Sequence, residues 1–233
     1  MVPTHIFING CSFLTYRPKD GVMTHAGLEL QNLMGLRLAG AIGGGGRGNR
    51  RLSVTTKVWC EKNLELAQNS FFLIGITAGT RFDYPTNDGY KKYKFPDFET
   101  TWRTYTPQQV SPRVANFFKY LIQKNGFDID VAMQIESLEA TLNLQNFFKV
   151  NKYPYLMYNT ISDTPITNED IQALYNMVDK KRFFKPETSH YDFVVKENMT
   201  VSPLDPHPSA DGHSHWAKQL FEYIDANNLR TVE

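Results

Sequence analysis

The chain has 233 residues, 41% of them hydrophobic, with 25 Lys and Arg against 24 Asp and Glu and a formal net charge of +1. That size and apolar content suit one α/β domain, and the balanced charge supplies no field for nucleic acid or an anionic membrane. Cys11 and Cys60 are too few for a disulfide framework, no basic stretch leads into a long apolar one at the N-terminus, and no run nears the roughly 20 apolar residues that span a bilayer; a cytoplasmic or virion-borne protein is expected.

"HIFING" (5–10) predicts a first strand ending in a turn that carries Cys11 and Ser12. "AGLELQNLMG" (26–35) predicts a short helix, and "LRLAGAI" (36–42) a second strand running into the glycines 43–46. From 49 to 69 a single helix is expected, with Leu52, Thr55, Thr56, Trp59, Leu64 and Ala67 on one face. "FFLIGIT" (71–77) reads as a buried third strand. From 78 to about 110 no clear periodicity appears. A helix is predicted over 112–126, with Pro112 in its first turn and Gly126 past its end, and the strongest helix over 130–150. "YPYLMYN" (153–159) is a fourth strand, 168–179 a short helix and 208–228 a closing helix with Ser209 as N-cap and Asp211 in its first turn. Strands alternating with helices predict βαβ units and a mostly parallel sheet.

In such a sheet the carboxyl ends of the strands share one edge, where ligands bind. Ser12, the glycines 43–46 and "GITAGTR" (75–81) meet there, and "LDPHPSADGH" (204–213) reaches it if the last helix packs on the sheet. A hydroxyl, a glycine backbone, a polar side chain and an Asp/His pair are the parts of acyl transfer. Asp205 and His207 are two apart, so in an extended segment they point the same way, and Pro206 favours that path at Asp205.

Other features weigh less. Cys11 reads as a small buried residue beside Ser12. His213 and His215 face apart on a helix and make a poor metal pair. The glycine run lacks the Gly-Lys-Ser/Thr of a phosphate loop. Arg47, Arg50, Arg51 and Arg81 are expected to be solvated or ion-paired. Eight aromatic residues crowd 82–105, among them Tyr84, Tyr93 and Trp102. Long irregular segments often form binding loops, and a packed excursion is the equal alternative.

The segments "NGCSF" (9–13), "GGGGRGN" (43–49), "GIT" (75–77) and "DPHPSADGHSHWA" (205–217) resemble, in order and position across nearly the whole chain, the spaced blocks of the SGNH (GDSL-like) hydrolase family. This variant is similar to uncharacterised members from phages and bacteria. The resemblance implies an α/β fold, a three-layer α/β/α sandwich of flavodoxin-like type, as one domain over 1–233 with an aromatic-rich insertion at about 78–110. It implies Ser12 as nucleophile, His207 as base, Asp205 as the group that orients it, and Gly46 as a backbone oxyanion donor. Thr77 stands where the family has Asn, and Cys11 where it has Asp; Asn49 is expected to supply the missing amide. The implied reaction is hydrolysis of a small acyl ester, such as an O-acetyl group on a glycan, with no metal or cofactor, and with Arg81, Tyr84, Tyr93 and Trp102 along the substrate. A non-catalytic ligand- or glycan-binding module on the same fold is the competing expectation.

Overall fold

The computed structural model describes residues 2–86, 101–105, 128–161 and 168–232, with the isolated positions 116, 119, 120, 124, 126 and 166. Its strands are β1 (His5–Asn9), β2 (Arg37–Ala41), β3 (Ser70–Ile76), β4 (Phe82–Thr86), β5 (Thr101–Tyr105), β6 (Tyr155–Asn159), β7 (Phe183–Ser189), β8 (Thr200–Ser202) and β9 (Asp205–Pro208). Its α-helices are α1 (Ala26–Met34), α2 (Asn49–Lys62), α3 (Leu64–Gln68), α4 (Ile129–Val150), α5 (Glu169–Asn176), α6 (His190–Lys196) and α7 (Ala210–Ala226).

Five strands make one sheet in the order β2–β1–β3–β6–β7, and every pairing in it is parallel. All seven residues of β3 are buried, the continuous apolar run of a strand covered on both faces. The period of two divides the core cleanly. Ile6 and Ile8 of β1 point to a cluster with Leu30 of α1 and Trp216 and Leu220 of α7. Phe7 points the other way, to Trp59 of α2 and Leu144 and Phe148 of α4. The fold is therefore a three-layer α/β/α sandwich. The chain runs from β1 to β2 on one side, then crosses to β3 on the other. That reversal opens a crevice above the carboxyl ends of β1 and β3.

α2 has Gly48 at its N-cap and no capping side chain of its own. Its first N–H groups are met from elsewhere: the fully buried Asp83 of β4 accepts from Gly48 N (3.1 Å), Arg51 N (2.8 Å) and Thr104 Oγ1 of β5 (2.6 Å). The carboxylate fastens the β4–β5 pair to the helix start, where four N–H groups otherwise lack partners.

Several elements differ from the sequence expectation. The helix expected over 49–69 is two, because Asn63 leaves the helical region at φ −133°, ψ 47°. Within the stretch from 78 to 110, residues 82–86 and 101–105 pair as antiparallel strands. Phe82, Tyr84 and Tyr105 lie against Met133 of α4, so half-buried alternation builds these strands where no longer period shows. β7 and α6 were not foreseen: "FFKPETS" has Pro186 and a positive φ at Lys185, features a sheet edge tolerates. The helix expected over 112–126 lies outside the described residues apart from isolated positions. No described helix is long and apolar enough to cross a membrane.

Candidate active site

β1 ends at Asn9, whose buried amide donates to Thr55 Oγ1 (3.0 Å) and Thr56 Oγ1 (2.9 Å) of α2 and so pins the turn that follows. Cys11 is fully buried. Thr160 Oγ1 gives its proton to the Ile76 carbonyl (2.8 Å), so the thiol of Cys11 is the donor in its 3.1 Å contact with Thr160 Oγ1. Ser12 opens a short 3-10 turn and is only partly buried. The serine stands at the carboxyl edge of the sheet while the cysteine faces inward.

His207 comes from the other end of the chain. Its Nε2 lies 3.0 Å from Ser12 Oγ and its Nδ1 2.7 Å from Asp205 Oδ1. With Nδ1–H donating to the carboxylate, Nε2 is left as the acceptor for the serine hydroxyl. The same Asp205 oxygen accepts the His207 backbone N–H (3.1 Å). Both residues lie on β9, where the extended path puts them on one side. Ser209 then caps α7 through Gly212 N (3.2 Å), and the Phe13 ring sits 5.2 Å from the His207 ring. Burial alone would raise the Asp205 carboxyl; hydrogen bonds from the His207 ring and backbone and from Arg17 outweigh it and hold the group below its ordinary value.

The glycine loop lies alongside. Gly44 N–H donates to the Gly10 carbonyl (3.0 Å), and a Cβ on Gly45 would stand 3.9 Å from Ser12 Cβ. Gly45 is thus placed against Ser12, and its neighbour Gly46 takes the left-handed conformation, φ +69°. Thr77 is 1% exposed and its Oγ1 has no partner among the described residues. Its main chain is gripped on both sides by Asn49: Thr77 N–H donates to Asn49 Oδ1 (2.9 Å) and Asn49 Nδ2 donates to Thr77 O (2.8 Å). The remaining amide proton goes to Ser137 Oγ (2.7 Å). Asn49 is therefore a strut for Thr77 and has no spare amide for a reacting group, contrary to its expected role.

Arg47 and Arg51, expected to be solvated or ion-paired, are buried, and Arg47 donates to the Ile42 carbonyl. Arg81 reaches the same loop through the Arg47 carbonyl (3.3 Å). Tyr84 packs toward α4, while Trp102, paired with Pro85, shares the face of Asp83. Tyr93 lies outside the described residues. His215 is exposed, whereas His213 is buried and accepts the first N–H of α1, from Ala26 (3.2 Å). Sequence reasoning missed Arg17, which forks onto Asp205 from 188 positions away. A cavity of about 240 Å³ between α4, α5 and the end of β7 is lined by none of Ser12, Asp205 and His207. Among the described residues no cluster of His, Cys, Asp and Glu has the makings of a metal site.

No family model matches the chain, and no curated protein does. Among solved structures it is similar to an acetyl xylan esterase from the rumen bacterium Butyrivibrio proteoclasticus, with 11% identity over 98% of this chain and 65% of that one and a TM-score of 0.47. It is also similar to the acetyl xylan esterase AlAXEase, with 12% identity over 94% of this chain and 99% of that one and a TM-score of 0.44. The chain thus spans less than two thirds of the length of the first.

Proposed function

We propose that the chain is a serine esterase of the SGNH (GDSL-like) class, acting on a small acyl ester such as an O-acetyl group on a glycan. The observation that carries this is the hydrogen-bonded series Ser12–His207–Asp205, 3.0 and 2.7 Å, at the carboxyl edge of a parallel sheet. A serine hydroxyl is a weak nucleophile until a neighbouring base takes its proton, and an imidazole held by a carboxylate is that base.

In this mechanism Ser12 Oγ attacks the ester carbonyl as its proton passes to His207 Nε2. The carbonyl oxygen, now an oxyanion, meets the N–H groups of the Gly45–Gly46 turn. His207 gives the proton to the departing alkoxide, and an acyl-serine and an alcohol result. A water then loses its proton to His207 and adds to the acyl carbonyl; the carboxylic acid leaves as Ser12 Oγ recovers the proton. Residues 1–233 serve as one domain, and the aromatic segment from about 78 to 110, with Arg81 and Trp102 at its base, reads the alcohol side.

A fluorophosphonate probe tests the reading directly. It should label the protein, and Ser12→Ala should abolish labelling and cut turnover of 4-nitrophenyl acetate by on the order of 10⁶-fold. A folded protein that ignores the probe and the ester, yet binds acetylated glycan, would instead be a binding module.

A further inference from the structure

Asp205 is unusual for the carboxylate of such a series. The side chain keeps 28% of its surface exposed, on the four-residue β9, whose only strand partner among the described residues is the three-residue β8. Neither sheet depth nor burial fixes its orientation. One of its oxygens, Oδ1, is taken up by the ring and backbone of His207. The other is taken up by Arg17.

Arg17 addresses the carboxylate as a fork, Nη2 to Oδ2 at 2.5 Å and Nη1 to Oδ1 at 3.3 Å. The guanidinium is itself held, with Nε donating to Asp20 Oδ2 at 2.8 Å. Its backbone is closed into a tight turn: Arg17 N–H donates to Val22 O (2.8 Å), Val22 N–H to Arg17 O (3.1 Å), and Gly21 takes the left-handed conformation at φ 72°. An isolated surface ion pair contributes little, because two long side chains must be ordered for a screened attraction. Here the ordering is already done by the turn and by Asp20, and the planar fork matches the carboxylate as an ammonium cannot. The segment 12–22 therefore supplies the serine at one end and, at the other, the clamp on the acid that orients its base.

We infer that Arg17 is a positioning residue of this site: it locks Asp205 and, through it, the imidazole of His207, in place of the burial that the carboxylate lacks. The inference rests on the proposed hydrolytic role of Ser12, His207 and Asp205. Misplacing a reacting group by about 1 Å can cost about 10²-fold in rate. Loss of the clamp should fall at or below that figure and appear in kcat, since Arg17 acts through the Asp205 carboxylate it holds.

The test is a double-mutant cycle on turnover of 4-nitrophenyl acetate, with Arg17→Gln, Arg17→Lys, Arg17→Ala, Asp205→Ala and the Arg17→Gln/Asp205→Ala pair. Arg17→Gln should lower kcat about 10- to 100-fold with little change in KM. Arg17→Lys should recover only part of the loss, and low, non-denaturing guanidinium should partly rescue Arg17→Ala. In the Asp205→Ala background, Arg17→Gln should cost nothing further. Wild-type kcat in Arg17→Gln, or losses that multiply in the pair, would overturn the inference while leaving the hydrolytic series standing. A fully active Ser12→Ala or Asp205→Ala would overturn that series, and this inference with it. Thermal melts of each variant keep the comparison to folded protein; if Arg17→Gln does not fold, Arg17→Lys decides by its kcat alone.

Discussion

Asn49 illustrates how a buried polar residue can act entirely through its neighbours. Its amide satisfies the N–H and C=O of Thr77 and the hydroxyl of Ser137, all in the interior. Asn49→Ala would leave the buried Thr77 N–H without a partner, which costs roughly 1–3 kcal/mol. The carboxyl end of β3 would loosen with it. We expect a lower urea midpoint for Asn49→Ala and reduced ester turnover in the same variant; unchanged stability would show that Thr77 finds another partner. Ser12, Asp205 and His207 were singled out in the sequence through the spaced blocks that resemble the SGNH (GDSL-like) family, helped for the last two by an extended Asp-Pro-His that puts them on one side. Asn49 and Arg17 were not, because their partners are Thr77, 28 positions on, and Asp205, 188 positions on, and nothing local to either residue encodes that meeting.

Among the elements, the β4–β5 pair is fastened to the start of α2 by one carboxylate. Asp83 replaces the missing cap of α2 and pairs with Thr104, and burial pushes its carboxyl above the ordinary value although those hydrogen bonds and Arg51 pull the other way. Asp83→Ala would strand two helix N–H groups and the Thr104 hydroxyl. A destabilisation of about 2–4 kcal/mol is expected, larger than for one lost cap, and measurable as a fall in the denaturation midpoint. The glycine loop should suffer with it, because Gly48 belongs to both. Here the sequence was least informative. "FDYPT" and "TWRTY" are five-residue strands, one of them interrupted by Pro85, and their pairing is decided by Met133 and the start of α2 rather than by any signal of their own. β1 and β3 were plain for the opposite reason, since strands covered on both faces must be apolar throughout.

At the scale of the whole molecule, three imidazoles join helices that are far apart in the chain. His25 before α1, His190 at the start of α6 and His213 in α7 are all buried, and the His190 ring stacks on Trp216 at 4.9 Å. Burial lowers His25 to about 4 and, with the charges of His25 and His207, lowers His213 to about 3; burial also holds His190 well below its ordinary value. The folded protein keeps them neutral, whereas the unfolded chain takes up protons below about pH 6.5. In that window the unfolded state binds more protons, so stability rises with pH and is lost as pH falls. Each histidine contributes about 1.4 kcal/mol per pH unit between 6.5 and its folded value. Glu136, raised to about 7 by burial, acts in the opposite sense, so the contrast between variants isolates the effect. Urea midpoints at pH 7 and pH 5 should converge in His25→Phe relative to the parent, and an equal drop in both proteins would remove His25 from the account. The span between Ser12 and His207, 195 positions, has a further consequence. A ribosome has to deliver residue 207 before the Ser12 hydroxyl can meet this imidazole, and α7 docks through Trp216, Leu220 and Ile224. On the proposed hydrolytic role, ester turnover would report the docking of α7. In a refolding experiment it should start only when the closing helix has packed, and a chain cut short of residue 200 should stay silent until the missing segment is supplied as a peptide.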